Sequence, residues 1–264
     1  MKLVFDQTGE RLYETGISQG VLFLQKADGT YEHGVAWNGL TQVTEKPTGA
    51  ESNAIYADNI KYLNLVSAEE FEATIEAYTY PKEWEQCDGS AEIATGVVIG
   101  QQVRKSFGMA YKTIIGNDTL KDAYGYKLHL LYSGTAAPSE RGYQTVNDSP
   151  EAISFSWDVT TNPVPVNGYK PTAIITIDST KADPAKLTTL ENLIYGTTVY
   201  TAVESPSGNP AEQNYYERSG SEGSYVYTKT TDTTVQTGKT YYAETGATST
   251  LPLPDAVMSI FAEG

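Results

Sequence analysis

Three sets of side chains in this sequence have types and spacings that could do chemistry. The first is a run of carboxylates, Glu70, Glu72 and Glu76, two and four residues apart. In an extended segment that spacing puts all three on one face, and Tyr78 and Tyr80 follow closely enough to line a sugar site. A carboxylate-based glycoside hydrolase needs two such groups about 5–10 Å apart in a cleft, one with a raised pKa. Acidic residues on the open face of a strand are more often simply solvated. The second set is Cys87 with His33 or His129, the makings of a thiolate–imidazole pair. No cysteine-protease signature surrounds Cys87, which reads as a small buried residue near a turn. His129 reads as a surface or interface histidine, opposite the face of Tyr126, Leu128 and Leu130. The third set, Asp28, Asp118 and Asp122, matches no calcium loop. A Gly-x-Ser-x-Gly elbow and a Gly-x-x-x-x-Gly-Lys-Ser/Thr phosphate loop are both missing, and Gly96 and Gly100, four apart, say little.

One cysteine and 2 His exclude an intrachain disulfide framework, a multi-cysteine zinc site and a His-rich metal centre. No catalytic, cofactor-binding or metal-binding residue is therefore expected, and no enzyme activity. The chain has 264 residues with 18 Lys+Arg against 33 Asp+Glu, a net charge of -15. Such a balance argues against a partner bound through a basic face. The first residues hold no apolar stretch long enough for a signal peptide before Asp6, and no run approaches a membrane span. The expectation is a chain made in the cytoplasm, with no membrane partner.

The elements that must carry these residues are strands. Ile153, Phe155, Trp157 and Val159 alternate with Ser154, Ser156, Asp158 and Thr160. Tyr126, Leu128, Leu130 and Tyr132 repeat the pattern, as do Phe107, Met109, Tyr111 and Thr113. Asp28-Gly29 after an apolar run is a hairpin signal. Ser67 and Glu70 have capping-box spacing, but Phe71, Ala73, Ile75 and Ala77 alternate with acidic and Thr residues and lead into Tyr78-Thr79-Tyr80-Pro81, which favours a strand. One helix is marked by Asp183-Pro184, an apolar stripe of Leu187, Leu190 and Ile194, and Gly196. The fold class expected is mainly β: a β-sandwich or partial barrel with one short flanking α-helix. Residues 199–249 are rich in Tyr, Thr, Ser and Gly, and hold a weak echo between Tyr215–Gly220 and Tyr241–Gly246. Apolar patterning returns at Leu251, so this stretch reads as a small β-rich insertion into a domain made of 1–198 and 250–264.

Many short segments, collinear along the chain, resemble the major tail proteins of long, non-contractile-tailed bacteriophages of Gram-positive hosts. They are Gly34–Thr41, Glu70–Pro81 followed by Cys87-Asp88-Gly89, and Arg104–Gly108 continuing to Gly116–Asp118. Tyr124–Lys127, Ala137–Glu140, Asn147–Ala152 into Phe155-Ser156-Trp157, and Leu251–Asp255 complete the set. The insertion at 199–249 departs from the simpler members, which run from the helix end almost directly to Leu-Pro-Leu-Pro-Asp.

The resemblance implies a tail-tube subunit. Six copies would close into a ring, their inner sheets joining into one β-barrel, and rings would stack into a tube through which DNA passes during ejection. A tape measure protein, a tail terminator and distal tail proteins would be the other partners, and the virion tail the location. Ring closure removes unpaired sheet edges, and a carboxylate-lined lumen repels phosphate, so DNA would be transient cargo without specific binding. Glu70, Glu72 and Glu76 are the lumen-lining candidates. The segment from Gly39 to Asn59 carries the inter-ring candidates Glu45, Lys46, Pro47, Gly49 and Glu51, with residues 1–18 and the C-terminal tail as further arms. The insertion is expected to project outward, since bulk inside would block DNA. The competing readings are a carbohydrate-binding or adhesive β-module, suggested by the Tyr- and Thr-rich insertion, and a hydrolase using the Glu70/Glu72/Glu76 carboxylates.

Overall fold

A computed structural model describes residues 3–143, 145, 152–221, 225–245 and 249–262; the segment Asn147–Glu151 and Gly246 lie outside the described residues. The fold is mainly β, and the chain divides into two compact units, Met1–Ile194 with Thr250–Gly264, and Tyr195–Ser249.

In the first unit, β1 (Leu12–Leu24), β2 (Val35–Trp37) and β3 (Leu40–Gly49) are followed by β4 (Ser52–Ala57), β5 (Ile60–Val66) and β6 (Glu69–Ala77). A short helix α1 (Glu85–Asp88) and a small hairpin, β7 (Ala91–Ala94) and β8 (Val97–Ile99), lead to the long strands β9 (Phe107–Asn117) and β10 (Lys121–Ala136). Then come β11 (Phe155–Thr161), the hairpin of β12 (Val164–Val166) and β13 (Tyr169–Thr172), β14 (Ile174–Asp178) and α2 (Pro184–Tyr195). The main sheet runs β2-β1-β9-β10-β11-β6-β3, with β14 also on β10, and its paired strands are antiparallel.

Alternation explains which side chains go inside. On β6, Ala73, Ile75 and Ala77 are buried, and they pair across to Val159, Trp157 and Phe155 of β11. Met109 and Tyr111 of β9 sit opposite Leu131 and His129 of β10 and face the same interior. The sheet curls enough for the two halves to share one core, in which Trp37, Trp84 and Trp157 meet with ring centroids 4.5 to 5.8 Å apart. Where β3 returns beside β1, Leu40 lies so close to Gly20 that a Cβ there would stand 2.2 Å from the leucine methyl. The outer face of β9–β10 carries Leu128 and Leu130, which are fully buried along with Leu190 and Ile194 of α2. Asp183 caps that helix, its carboxylate accepting from the N–H groups of Ala185 and Lys186. A further helix, α3, spans Pro254–Ala262 at the C-terminal end, where the sequence showed only a short apolar run.

β3 to β6 form one continuous antiparallel ribbon. Its ladder runs from Leu40 opposite Ala77 to Gly49 opposite Glu69, then resumes from Ser52 opposite Val66 to Ala57 opposite Ile60. The two stretches are joined by bonds between Glu51 and Ser67, and Asp58-Asn59, both at positive φ, turn the tip. At about 3.3 Å per residue the ribbon reaches roughly 55 Å. Gly49 sits at the joint with φ +85°, and a Cβ there would stand 2.2 Å from the carbonyl oxygen of Ala68.

The second unit is a four-stranded antiparallel sheet. Its strands are β15 (Val199–Val203), β16 (Tyr215–Ser219), β17 (Val226–Lys229) and β18 (Tyr241–Thr245), ordered β15-β18-β16-β17. The two echoing segments are neighbours, Tyr216 pairing with Tyr242. The insertion leaves and rejoins the first unit at one point, where the N–H of Thr250 donates to the carbonyl of Leu193 at 2.7 Å.

Candidate functional site

The three lumen candidates lie on one sheet face, the one turned away from the core. Because Ala73, Ile75 and Ala77 point into the core, Glu70, Glu72, Thr74 and Glu76 point away from it. Glu70 is exposed, and Glu72 and Glu76 are half-buried between flanking strands. On the β3 side the register sets Thr48 beside Glu70, Lys46 beside Glu72 and Gln42 beside Glu76. On the β11 side Thr160, Asp158 and Ser156 sit beside Glu72, Thr74 and Glu76. The face is therefore wholly polar. Asp158 is its best-tied member, accepting from the Thr74 hydroxyl at 2.7 Å and from the Lys46 ammonium at 3.3 Å. Those two partners, the hydroxyl first, hold its carboxyl below the usual range. Both charged members are largely in water, so the pair is a weak one. One lysine against Glu70, Glu72, Glu76 and Asp158 leaves the face strongly acidic.

The inter-ring candidates are spread along β3 and the joint beyond it. Lys46 belongs to the acidic face. Pro47 pairs with Phe71 in β3, an edge strand, where a missing N–H is tolerated. Gly49 makes the bend, and Glu51 continues the ladder through Ser67. Glu45 turns the other way, across the interior: its carboxylate accepts from the Tyr111 hydroxyl at 2.7 Å and lies 3.2 Å from Nδ1 of His129. The His129 contact, followed by the Tyr111 hydroxyl, lowers the Glu45 pKa despite partial burial.

The sequence reading of His129 needs correction. It is 8% exposed, its ring stacked on Tyr111 at 4.7 Å and 4°. Its Nε2 is 2.9 Å from the Thr113 hydroxyl and its Nδ1 is 3.3 Å from that of Thr176. Alternation correctly puts His129 opposite Leu128 and Leu130, but in this unit both faces of β10 are covered. Burial pushes the Tyr111 phenol far above its usual range, and its bond to the Glu45 carboxylate adds to this. Cys87 is fully buried, and desolvation raises its thiol to about 12, so it is not a nucleophile at neutral pH. Among the described residues no group of three or more His, Cys, Asp or Glu side chains could hold a metal ion.

The far part of the ribbon is unlike the near part. Ile55, Leu63 and Leu65 share one face of β4–β5, since Ile55 pairs with Leu63 and Asn53 with Leu65. They are 38–54% exposed, and Tyr56, Ile60, Tyr62 and Val66 are more exposed still.

No protein-family model matches the chain, and no curated protein matches it. Among solved structures, a chain of one described as "Cryo-EM structure of the anti-feeding prophage (AFP) baseplate, 6-fold symmetrised" aligns over 68% of this chain and 99% of its own, at 8% identity and a TM-score of 0.31. A likeness of that size assigns neither family nor function.

Proposed function

We propose that the chain is a structural, non-enzymatic subunit of a phage tail tube, closing into hexameric rings that stack around a DNA-conducting lumen. The observation that carries this reading is the Leu40–Ala77 ribbon. A two-stranded ribbon is marginal in water, and one that exposes Ile55, Tyr56, Ile60, Tyr62, Leu63, Leu65 and Val66 has a surface suited to burial against another molecule. The subunit stacked above or below is the partner this reading gives it. The N-terminal half of β1 pairs with β9 on one side alone and β3 with β6 on one side alone, and the outer sides of both, which face no strand among the described residues, are edges that ring closure would satisfy. The acidic face of β3–β6–β11 is the surface we assign to the lumen, where Glu70, Glu72, Glu76 and Asp158 would repel passing phosphates.

In this reading the tape measure protein occupies the lumen during assembly, and terminator and distal tail proteins close the two ends. The subunit assembles in the host cytoplasm and resides in the virion tail. The insertion projects from the outer wall. The test is negative-stain microscopy of the purified full chain. Rings or hollow tubes support the assignment, whereas monomers that persist at high concentration under assembly-promoting conditions refute it.

A further inference from the structure

We propose that one face of the second unit's sheet binds an acidic glycan. Pairing fixes which side chains share that face. Tyr242 lies between Ala202 and Tyr216, Tyr200 sits opposite Glu244, and Arg218 and Tyr216 oppose Tyr227 and Lys229. The rings converge: Tyr200 stacks on Tyr227 at 4.1 Å, Tyr216 meets Tyr200 edge-on at 4.9 Å, and Tyr227 meets Tyr242 at 5.3 Å. Tyr225 joins them at the rim, 38% exposed, with the Arg218 guanidinium 4.1 Å over its ring and 5.0 Å over that of Tyr242.

The opposite face of the same sheet is closed by its own loops. There Lys239 bridges Glu217 and Asp232 at 2.7 Å each, and Tyr241, fully buried, donates to Asp232 at 2.6 Å. The tyrosine face has no such network. Among the described residues the hydroxyls of Tyr200, Tyr225, Tyr227 and Tyr242 make no hydrogen bond, and only Tyr216 is engaged, donating to Glu244 at 3.0 Å. Tyr200, Tyr216 and Tyr227 remain half-buried and Arg218 and Lys229 exposed.

Its chemistry selects the occupant. Pyranose rings present C–H faces that pack on aromatic rings and hydroxyls that bond phenols and guanidinium groups, the mixed lining expected of a specific polar-ligand site. The face offers almost no aliphatic surface, Ala202 apart, so it lacks the apolar stripe that inserts into a lipid surface. Charge narrows the choice. The second unit has six acidic residues against three basic ones. Lys239 is locked on the far side, while Arg218 and Lys229, in no ion pair among the described residues, both stand on the tyrosine face with one carboxylate, Glu244, which the Tyr216 hydroxyl already engages. A glycan bearing carboxylates or phosphates at intervals matches two isolated cations, Arg being able to grip such a group with two N–H bonds. Nucleic acid, with a charge on every nucleotide, calls for a broad basic track that this acidic unit does not have.

The experiment is binding of the full chain to an array of acidic (uronate- and phosphate-bearing) and neutral glycans at low ionic strength, with a thymidine 20-mer as competitor. Retention on acidic glycans is expected. It should fall about tenfold in the Arg218→Ala/Lys229→Ala variant and by a similar factor in Tyr225→Ala. All three positions are exposed, and circular dichroism checks that the sheet is intact. Retention on no glycan, equal retention by the intact double variant, or displacement by the 20-mer at concentrations that bind it first would each overturn the proposal. None of these results bears on whether the chain forms tubes.

Discussion

Glu45 is the residue on which the curl of the sheet can be tested. Among the described residues it is the only acceptor for the Tyr111 hydroxyl, and Tyr111 is 2% exposed. Glu45→Ala leaves that buried donor without a partner, a loss of about 1–3 kcal/mol. The contact to His129 is an ion pair only when the imidazole is protonated, and the Glu45 side chain is 37% exposed. Screening therefore limits its share to about 0–1 kcal/mol. Together these give about 2 kcal/mol, a fall in melting temperature of roughly 4–8 °C for a unit of this size. Tryptophan fluorescence is the right probe, because Trp37, Trp84 and Trp157 all lie in the core of the first unit. In a Tyr111→Phe background the buried donor is gone, so adding Glu45→Ala should cost less than about 1 kcal/mol. Equal costs in the two backgrounds would show that Glu45 does not hold Tyr111, and the reasoning would fail.

Other outcomes follow from the same structure. The Glu45 carboxylate has a lowered folded pKa, so its stabilisation is full above its ordinary value near 4.5 and is lost as pH falls through the lowered one. Glu45→Gln should flatten that part of an acid-unfolding curve, and an unchanged acid limb would count against the pair. Gly49→Ala forces a side chain into a left-handed backbone and against the Ala68 carbonyl, and should cost more than about 1 kcal/mol by denaturant titration. Serine at Ile55, Leu63 and Leu65 should leave the melting temperature within a few degrees but abolish tubes by microscopy; normal tubes would remove the ribbon from the stacking role. Lysine at Glu70, Glu72 and Glu76 should make assembled tubes retain short duplex DNA in a salt-dependent manner, and tubes that still ignore DNA would place those residues elsewhere than the lumen. Removing 199–249 should leave assembly intact.

The strands with one buried face were legible because alternation reports one-sided burial. Trp157 and Val159 on β11, and Ala73 and Ile75 on β6, show it plainly. The α2 boundary was legible from chemistry local to Asp183, Pro184 and Gly196. The β4–β5 ribbon was not, since neither of its faces is buried and no period marks it. Nor was α3, because a short apolar run reads equally as strand or helix. The Glu45–Tyr111–His129 cluster joins residues 66 positions apart through the curl of the sheet, and no local pattern encodes such a meeting. For the acidic face the composition of β6 was visible, but its neighbours Lys46 and Asp158 required the pairing of three strands distant in sequence.

The hydrogen bond between Thr250 and Leu193 also makes this junction a point of insertion. The ends of the insertion meet there, the Thr250 N–H lying 2.7 Å from the Leu193 carbonyl oxygen. A foreign domain with adjacent termini could be spliced there without spanning a gap or displacing a core side chain. The same junction would let the inserted domain change while the strands that build the first unit stay as they are.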